Sequence, residues 1–245
     1  MESTVYLLVC EGPTDIIVIK KIAKVLSTQL GKQIEIREIS PQRDATTHRY
    51  PDHGWEEVKQ WCQLYGETSI NIDNPFAQIA AKSRNWKTLI AMSRAEGLII
   101  QIDTDIAEQI IIDDMPVYRG DSKNSRKHYC RKSLLYWLGE NTIPDNIHFI
   151  LSTYSTETWL LSTHNRTEDV FENIEDNFDF EDIANPQDYL ISLGYSTYSN
   201  HTGSGLKLSK DLSLYSRYAD SIASNLETVS RECEEVQKFT TYLSR

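Results

Sequence analysis

Positive charge is scarce in this chain: 25 Lys and Arg stand against 36 Asp and Glu, a formal net charge of −11. A protein that coats nucleic acid non-specifically needs the opposite balance, so that class is excluded. Long apolar runs are absent too, and none approaches the roughly 20 residues that a membrane span requires. The opening Met1-Glu-Ser-Thr has no basic stretch ahead of an apolar one, which predicts no signal peptide. Cysteine is sparse, and Cys10, Cys62, Cys130 and Cys233 form no C-x-x-C pair and no ligand-like spacing to a histidine. That argues against a zinc site and for the free thiols of a cytoplasmic protein. No repeat or low-complexity linker interrupts the 245 residues, enough for one large domain or a core with an appended subdomain.

What is present is an ordinary hydrophobic fraction, 40%, arranged in two periodicities. Residues 5–10 are apolar and β-branched or aromatic, as in a strand buried on both faces. From Thr14 the apolar residues Ile16, Ile19, Ala23, Leu26 and Leu30 follow helical spacing, with Pro13 in the first turn and Gly31 as the stop. Residues 34–39 alternate as a second strand, and residues 40–54 read as a loop. Trp55–Tyr65 and residues 76–95 read as helices, after which Gly97 releases a strand over residues 98–102. A helix over about 125–139, a strand over 147–151 and a helix from Ser155 follow; the rest reads mainly as helix and loop. Strands alternating with helices predict an α/β fold, with a mostly parallel central sheet flanked by helices. The expected organisation is an α/β domain over residues 1–165 and a mainly helical C-terminal region, 166–245, packed on it.

Carboxylates mark the ends of three of these strands. Glu11 closes the first, with Asp15 in the first turn of the helix that follows. Asp103 and Asp105 close another, two residues apart in extended chain, so their side chains project to one side. Glu157 lies just past a third. Each has an ordinary alternative, since a first-turn acid complements the helix dipole and D-x-D occurs in many turns. Together they sit beyond the carboxyl ends of parallel strands, where ligands of such sheets bind. Carboxylates held together repel unless they share a proton or a cation, and oxygen donors of this kind suit Mg²⁺ or Mn²⁺. A divalent ion there could polarise a phosphodiester and activate water.

Charge is also uneven elsewhere. Residues 119–132 hold six Lys/Arg against one Asp, whereas residues 168–182 hold eight Asp/Glu and neither Lys nor Arg. The basic block makes Lys123, Arg126, Lys127 and Arg131 candidate phosphate contacts, with a solvated helix face as the alternative. Behind the turn at Gly203-Ser204-Gly205, Lys207 and Lys210 are candidates for a scissile phosphate or its developing charge. His53 is read as a loop histidine with a structural hydrogen bond, and Trp55, Trp61 and Trp159 as core.

The runs LLVCEGPTDIIVIKKI and GLIIQIDTD resemble the two acidic motifs of the Toprim domain, shared by topoisomerases, primases and OLD-family nucleases. The resemblance covers at most residues 5–161 and implies a compact α/β sheet with a divalent-metal site. By motif, Glu11 looks like the general acid/base or metal-coordinating glutamate, Asp15 like its helix partner, and Asp103 and Asp105 like the metal-binding pair. FILSTYSTETWLL is similar to a later strand-then-glutamate element of OLD-like Toprim proteins, which makes Glu157 a further ligand. Some OLD-like nucleases use a lysine beyond the acidic motifs, and this points to Lys207.

Neither a tyrosine motif nor a zinc module of the kinds that mark topoisomerases and primases is visible, and there is no P-loop. The resemblance therefore implies a small Mg²⁺- or Mn²⁺-dependent nuclease acting on DNA or RNA, in character a bacterial or phage-defence effector. Its expected partners are nucleic acid, a separate ATPase or sensor protein, and further copies of itself, with no membrane. Two other readings stay open: a Toprim-like binding or regulatory subunit that docks a partner ATPase, and a nucleotidyl transferase.

Overall fold

Residues 6–10 and 97–102 are buried without interruption, the pattern of strands covered on both faces. They belong to a four-stranded, all-parallel sheet of order β2-β1-β3-β4. Its strands are β1 (Ser3–Val9), β2 (Gln33–Ser40), β3 (Gly97–Asp103) and β4 (Ile147–Ser152). The computed structural model describes residues 3–47, 49–67, 79, 83–113, 115–120, 122–175, 177–199 and 206–245.

Parallel strands need crossovers, and the helical periodicities supply them. Helix α1 (Pro13–Leu30) joins β1 to β2; it begins at an extended Gly12 and ends at Gly31, whose φ of 61° is the left-handed turn that stops a helix. Helices α2 (Trp55–Tyr65) and α3 (Trp86–Ser93) lie between β2 and β3, and α4 (Lys123–Leu138) leads to β4. The helix expected over residues 76–95 is thus α3 at its C-terminal end; residues 76–78 and 80–82 lie outside the described residues. Helix α4 starts earlier than its apolar pattern suggests because the Ser122 side chain caps it by accepting from the Ser125 N–H.

Side-chain alternation divides the core into two layers. Tyr6, Leu8, Cys10, Ile99 and Ile150 pack with α1 and with residues of the C-terminal region, among them Phe180, Tyr215, Ile222, Val236 and Phe239. Leu7, Val9, Ile100, Phe149 and Leu151 point to the other face, against Val58, Trp86, Leu134 and Trp137. Trp159 is fully buried, while Trp55 is half-buried against the second layer.

Beyond β4 come the short helices α5 (Glu157–Leu161) and α6 (Pro186–Ser192), then α7 (Leu212–Ser224), α8 (Leu226–Glu232) and α9 (Glu234–Leu243). Helix α7 runs along α1, and α9 lies against β4 and α1. A small antiparallel pair, β5 (Thr197–Ser199) with β6 (Leu206–Leu208), interrupts this helical region; three-residue strands are too short to leave a periodic signal. Among the described residues no helix is long and apolar enough to cross a membrane.

Candidate active site

From β1 the chain steps to β2 on one side and later to β3 on the other, so strand order reverses between β1 and β3. A crevice opens at such a reversal, beyond the carboxyl ends of the strands. Glu11 follows β1 and Asp103 ends β3, one on each side of it. Two links close the gap: Glu11 Oε1 accepts from the Asp103 backbone N–H at 2.7 Å, and the Glu11 N–H donates to Gln101 Oε1 at 3.1 Å. Gln101 Nε2 in turn donates to Asp103 Oδ1 at 2.9 Å.

The other carboxylates arrive from neighbouring elements. Asp15, buried in the first turn of α1, accepts from Thr156 Oγ1 at 2.9 Å and is thereby tied to the β4–α5 turn. Glu157, at the first residue of α5, is 2% exposed, and its Oε1 accepts from the Lys210 ammonium and the Tyr215 hydroxyl. Its Oε2 is buried with no hydrogen-bond partner. Asp105 stands on the exposed rim, its backbone N–H donating to the Tyr154 carbonyl at 3.1 Å.

These groups distort one another's titration. Burial, then the charge of Asp15, raises the Glu11 carboxyl to about 8. Burial raises Asp15 to about 6 despite the Lys210 charge, and burial followed by Glu157 raises Asp105 to about 6. Asp103 is pushed well above the ordinary range by burial and the surrounding carboxylates. Glu157 goes the other way: burial pushes it up, but the charge and hydrogen bonds of Lys210 and the Tyr215 hydroxyl outweigh that and lower it. Glu157 is thus the one of the five carboxylates whose charge is met inside the protein.

Oxygen donors gathered at this density, with a buried carboxylate oxygen lacking a partner, fit the chemistry of a hard divalent cation. The side chains do not stand as a finished shell. Among the described residues no group of three or more His, Cys, Asp or Glu is arranged to hold a metal ion. Glu11 turns to a backbone N–H, Asp103 to Gln101, Asp15 to Thr156 and Glu157 to Lys210, so each of these four carboxylates is held by a donor of its own.

The structure separates the basic candidates. Lys210, expected among nucleic-acid contacts, reaches into the acidic cluster, and its charge acts on Glu11, Asp15 and Asp105 as well as Glu157. Lys207, expected to be catalytic, lies on β6 as an exposed residue lining a cavity that Asp105 also lines. The Gly203-Ser204-Gly205 turn before it lies outside the described residues.

The basic block does not form an open phosphate-tracking face. Lys127 is corrected outright: it is buried, 3.0 Å from Glu181 and 3.4 Å from Glu234. Lys123 pairs with Asp179 and Asp182, and Arg126 is engaged by Glu108 and the Thr104 carbonyl. Helical order brings these lysines and this arginine against acids remote in sequence, which no local charge count reveals. Arg131 is half-buried on α4.

Sequence reading passed over Gln101, Thr156 and Tyr215. Only Gln101 left a visible signal, as a lone amide inside an otherwise apolar strand. His53 is exposed beside the site: a methyl added at Gly12 would lie 3.4 Å from Asp15 Oδ2 and 3.7 Å from His53 Nδ1. No protein-family model, no curated protein and no solved structure matches this chain.

Proposed function

We propose that this chain is a Mg²⁺- or Mn²⁺-dependent phosphodiesterase acting on DNA or RNA, built on a Toprim-like domain. The observation that carries the reading is the meeting of Glu11, Asp15, Asp103, Asp105 and Glu157 at the β1/β3 reversal, with proton affinities raised on four of them. A carboxylate cluster of this kind is costly to a fold, and perturbed titration in a crevice is a mark of functional sites. Glu11, Asp103 and Asp105 would hold the cation, with Asp15 and Glu157 completing or orienting the set. When bound, a divalent ion would neutralise phosphate charge and polarise the phosphodiester.

The chain's own residues have distinct parts. Glu11, raised to about 8 without a cation, is mostly protonated at neutral pH; ionised beside a bound cation, it would accept a proton from the attacking water through the oxygen not engaged by the Asp103 N–H. Gln101 keeps Glu11 and Asp103 at fixed separation, and Thr156 holds Asp15. Lys210 offers a cation to the negative charge that develops on the phosphoryl oxygens.

Cleavage of single-stranded and duplex DNA and RNA with Mg²⁺ or Mn²⁺ tests this directly. Glu11→Gln is expected to lower the rate by roughly 10²- to 10⁴-fold, the usual contribution of a proton-transfer group. Asp103→Ala is expected to abolish cleavage and metal-induced thermal stabilisation together. Equal cleavage by wild type and both variants would sink the proposal.

One observation favours a second reading, a non-catalytic module that docks a partner such as an ATPase. Lys210 already supplies a cation to Glu157, and a lysine can replace a metal ion as the neutralising charge. Unchanged thermal stability of wild type in Mg²⁺ and Mn²⁺, with no cleavage alone or with a co-purifying ATPase, would favour that reading.

A further inference from the structure

Next to Asp105 lies a cavity of about 370 Å³ that the catalytic reading leaves without a role. Ligand sites run from roughly 300 to 1,000 Å³, so this one has room for a single nucleotide and not for a base pair with its backbone. Tyr154 forms one wall, with a φ of 57°, a conformation that a residue with a side chain adopts only when its surroundings impose it. Here the D-x-D turn imposes it: the Tyr154 N–H donates to Thr104 Oγ1 at 2.9 Å, and its carbonyl accepts from the Asp105 N–H at 3.1 Å. These bonds fix, relative to Asp105, the backbone that carries the ring. The ring is also braced, since the Arg126 guanidinium lies 5.1 Å from its centroid and is itself held by Glu108 and the Thr104 carbonyl.

Asn185 and Gln187 also line the cavity, and their side-chain amides have no hydrogen-bond partner among the described residues. Amides offer a donor and an acceptor side by side, the pattern that a base edge presents. Lys207 stands on the same lining with no ion-pair partner among the described residues, while Asp188 disfavours a phosphate on its own side. We propose that this cavity receives one unpaired base of a single-stranded nucleic acid, stacked on Tyr154 with its edge toward Asn185 and Gln187. The adjoining phosphate then lies toward Lys207. The substrate class is single-stranded DNA or RNA, because stacking on Tyr154 needs an unpaired base and every base has a face to stack. The proposal rests on the phosphodiesterase reading of the neighbouring carboxylates, but it concerns binding and is tested by binding.

Fluorescence anisotropy of a labelled 12-nucleotide DNA strand, its RNA counterpart and the DNA duplex, with Ca²⁺ in place of Mg²⁺, reads it out. The wild type is expected to hold at least one single strand more tightly than the duplex, and the strand preferred identifies the sugar. Tyr154→Gly suits the backbone better than tyrosine, so it is expected to fold while weakening single-strand binding roughly 5- to 100-fold. Tyr154→Phe is expected to bind as wild type does. A 2-aminopurine base in the strand, whose emission changes on stacking, gives a second readout on the unaltered protein. No single-strand binding, equal affinity for duplex, no emission change, or full affinity in a folded Tyr154→Gly protein would each overturn the proposal. Tyr154-dependent binding without cleavage in Mg²⁺ or Mn²⁺ would instead sink the hydrolytic reading and leave this one standing.

Discussion

Glu11 and its neighbours destabilise the fold they sit in. A carboxyl whose folded value lies above its ordinary one binds protons more tightly in the native state than in the unfolded chain. Its stabilising contribution is complete below the ordinary value near 4 and is lost as pH rises through the folded value. With Asp15 and Asp105 near 6 and Glu11 near 8, the metal-free protein is expected to lose thermal stability between about pH 4 and about pH 8. Glu157 has the opposite sign, so its contribution persists over that window and fades only in acid. Glu11→Gln is expected to raise Tm by a few degrees at pH 8 and to flatten the slope, as scanning calorimetry of metal-free protein across the window can check. A Tm independent of pH in wild type would contradict the clustering. The carboxylates were legible in the sequence because they stand at, or within a few residues of, the carboxyl ends of buried strands. Gln101 showed only as a lone amide in an apolar strand, and Thr156 and Tyr215 not at all, because their donors meet the carboxylates through space: Tyr215 reaches Glu157 from 58 residues away.

Helix α4 shows how an element can mislead. Its basic residues form a charged block in sequence, yet Lys127 faces inward to Glu181, which also accepts from Thr153 Oγ1 at 2.7 Å. Nearby, Glu235 on α9 accepts the Leu151 N–H of edge strand β4 at 3.2 Å, covering a donor that would otherwise invite another strand. Removing one member of a buried ion pair leaves the other charge unpaired. Lys127→Ala is therefore expected to cost about 3–5 kcal/mol in a urea titration. The paired replacement Lys127→Met with Glu181→Leu is expected to recover most of that loss. Both outcomes differ from a surface phosphate contact, whose loss would leave folding stability unchanged. The helix itself was readable from its spacing, but its side-chain pairings depended on the acidic loop at Asp179, Glu181 and Asp182 folding back against it.

At the scale of the whole molecule, one face of the sheet is covered jointly by α1 and the C-terminal helices. Tyr6, Leu8, Ile99 and Ile150 share a single apolar cluster with Ile222, Val236, Phe239 and Leu243. A fragment of residues 1–165 would expose that face. It is expected to show no cooperative thermal transition, whereas the full chain shows one. A fragment that unfolds cooperatively would mean that α1 alone suffices as cover. The same C-terminal region delivers Lys210 and Tyr215 to Glu157, so the acidic site and the fold depend on the same packing.

The sequence by itself determined the parallel α/β architecture and the strand ends at which Glu11, Asp103, Asp105 and Glu157 stand. Both are local: uninterrupted apolar runs make buried strands, and a carboxylate after such a run has nowhere to go but the sheet's carboxyl edge. Tertiary structure alone decided which cation meets which acid. It placed Lys210 in the acidic cluster and Lys207 at the neighbouring cavity, and it buried Lys127 away from solvent. Those assignments rest on segments tens of residues apart packing against one another, and Coulomb interactions between them act through space rather than along the chain.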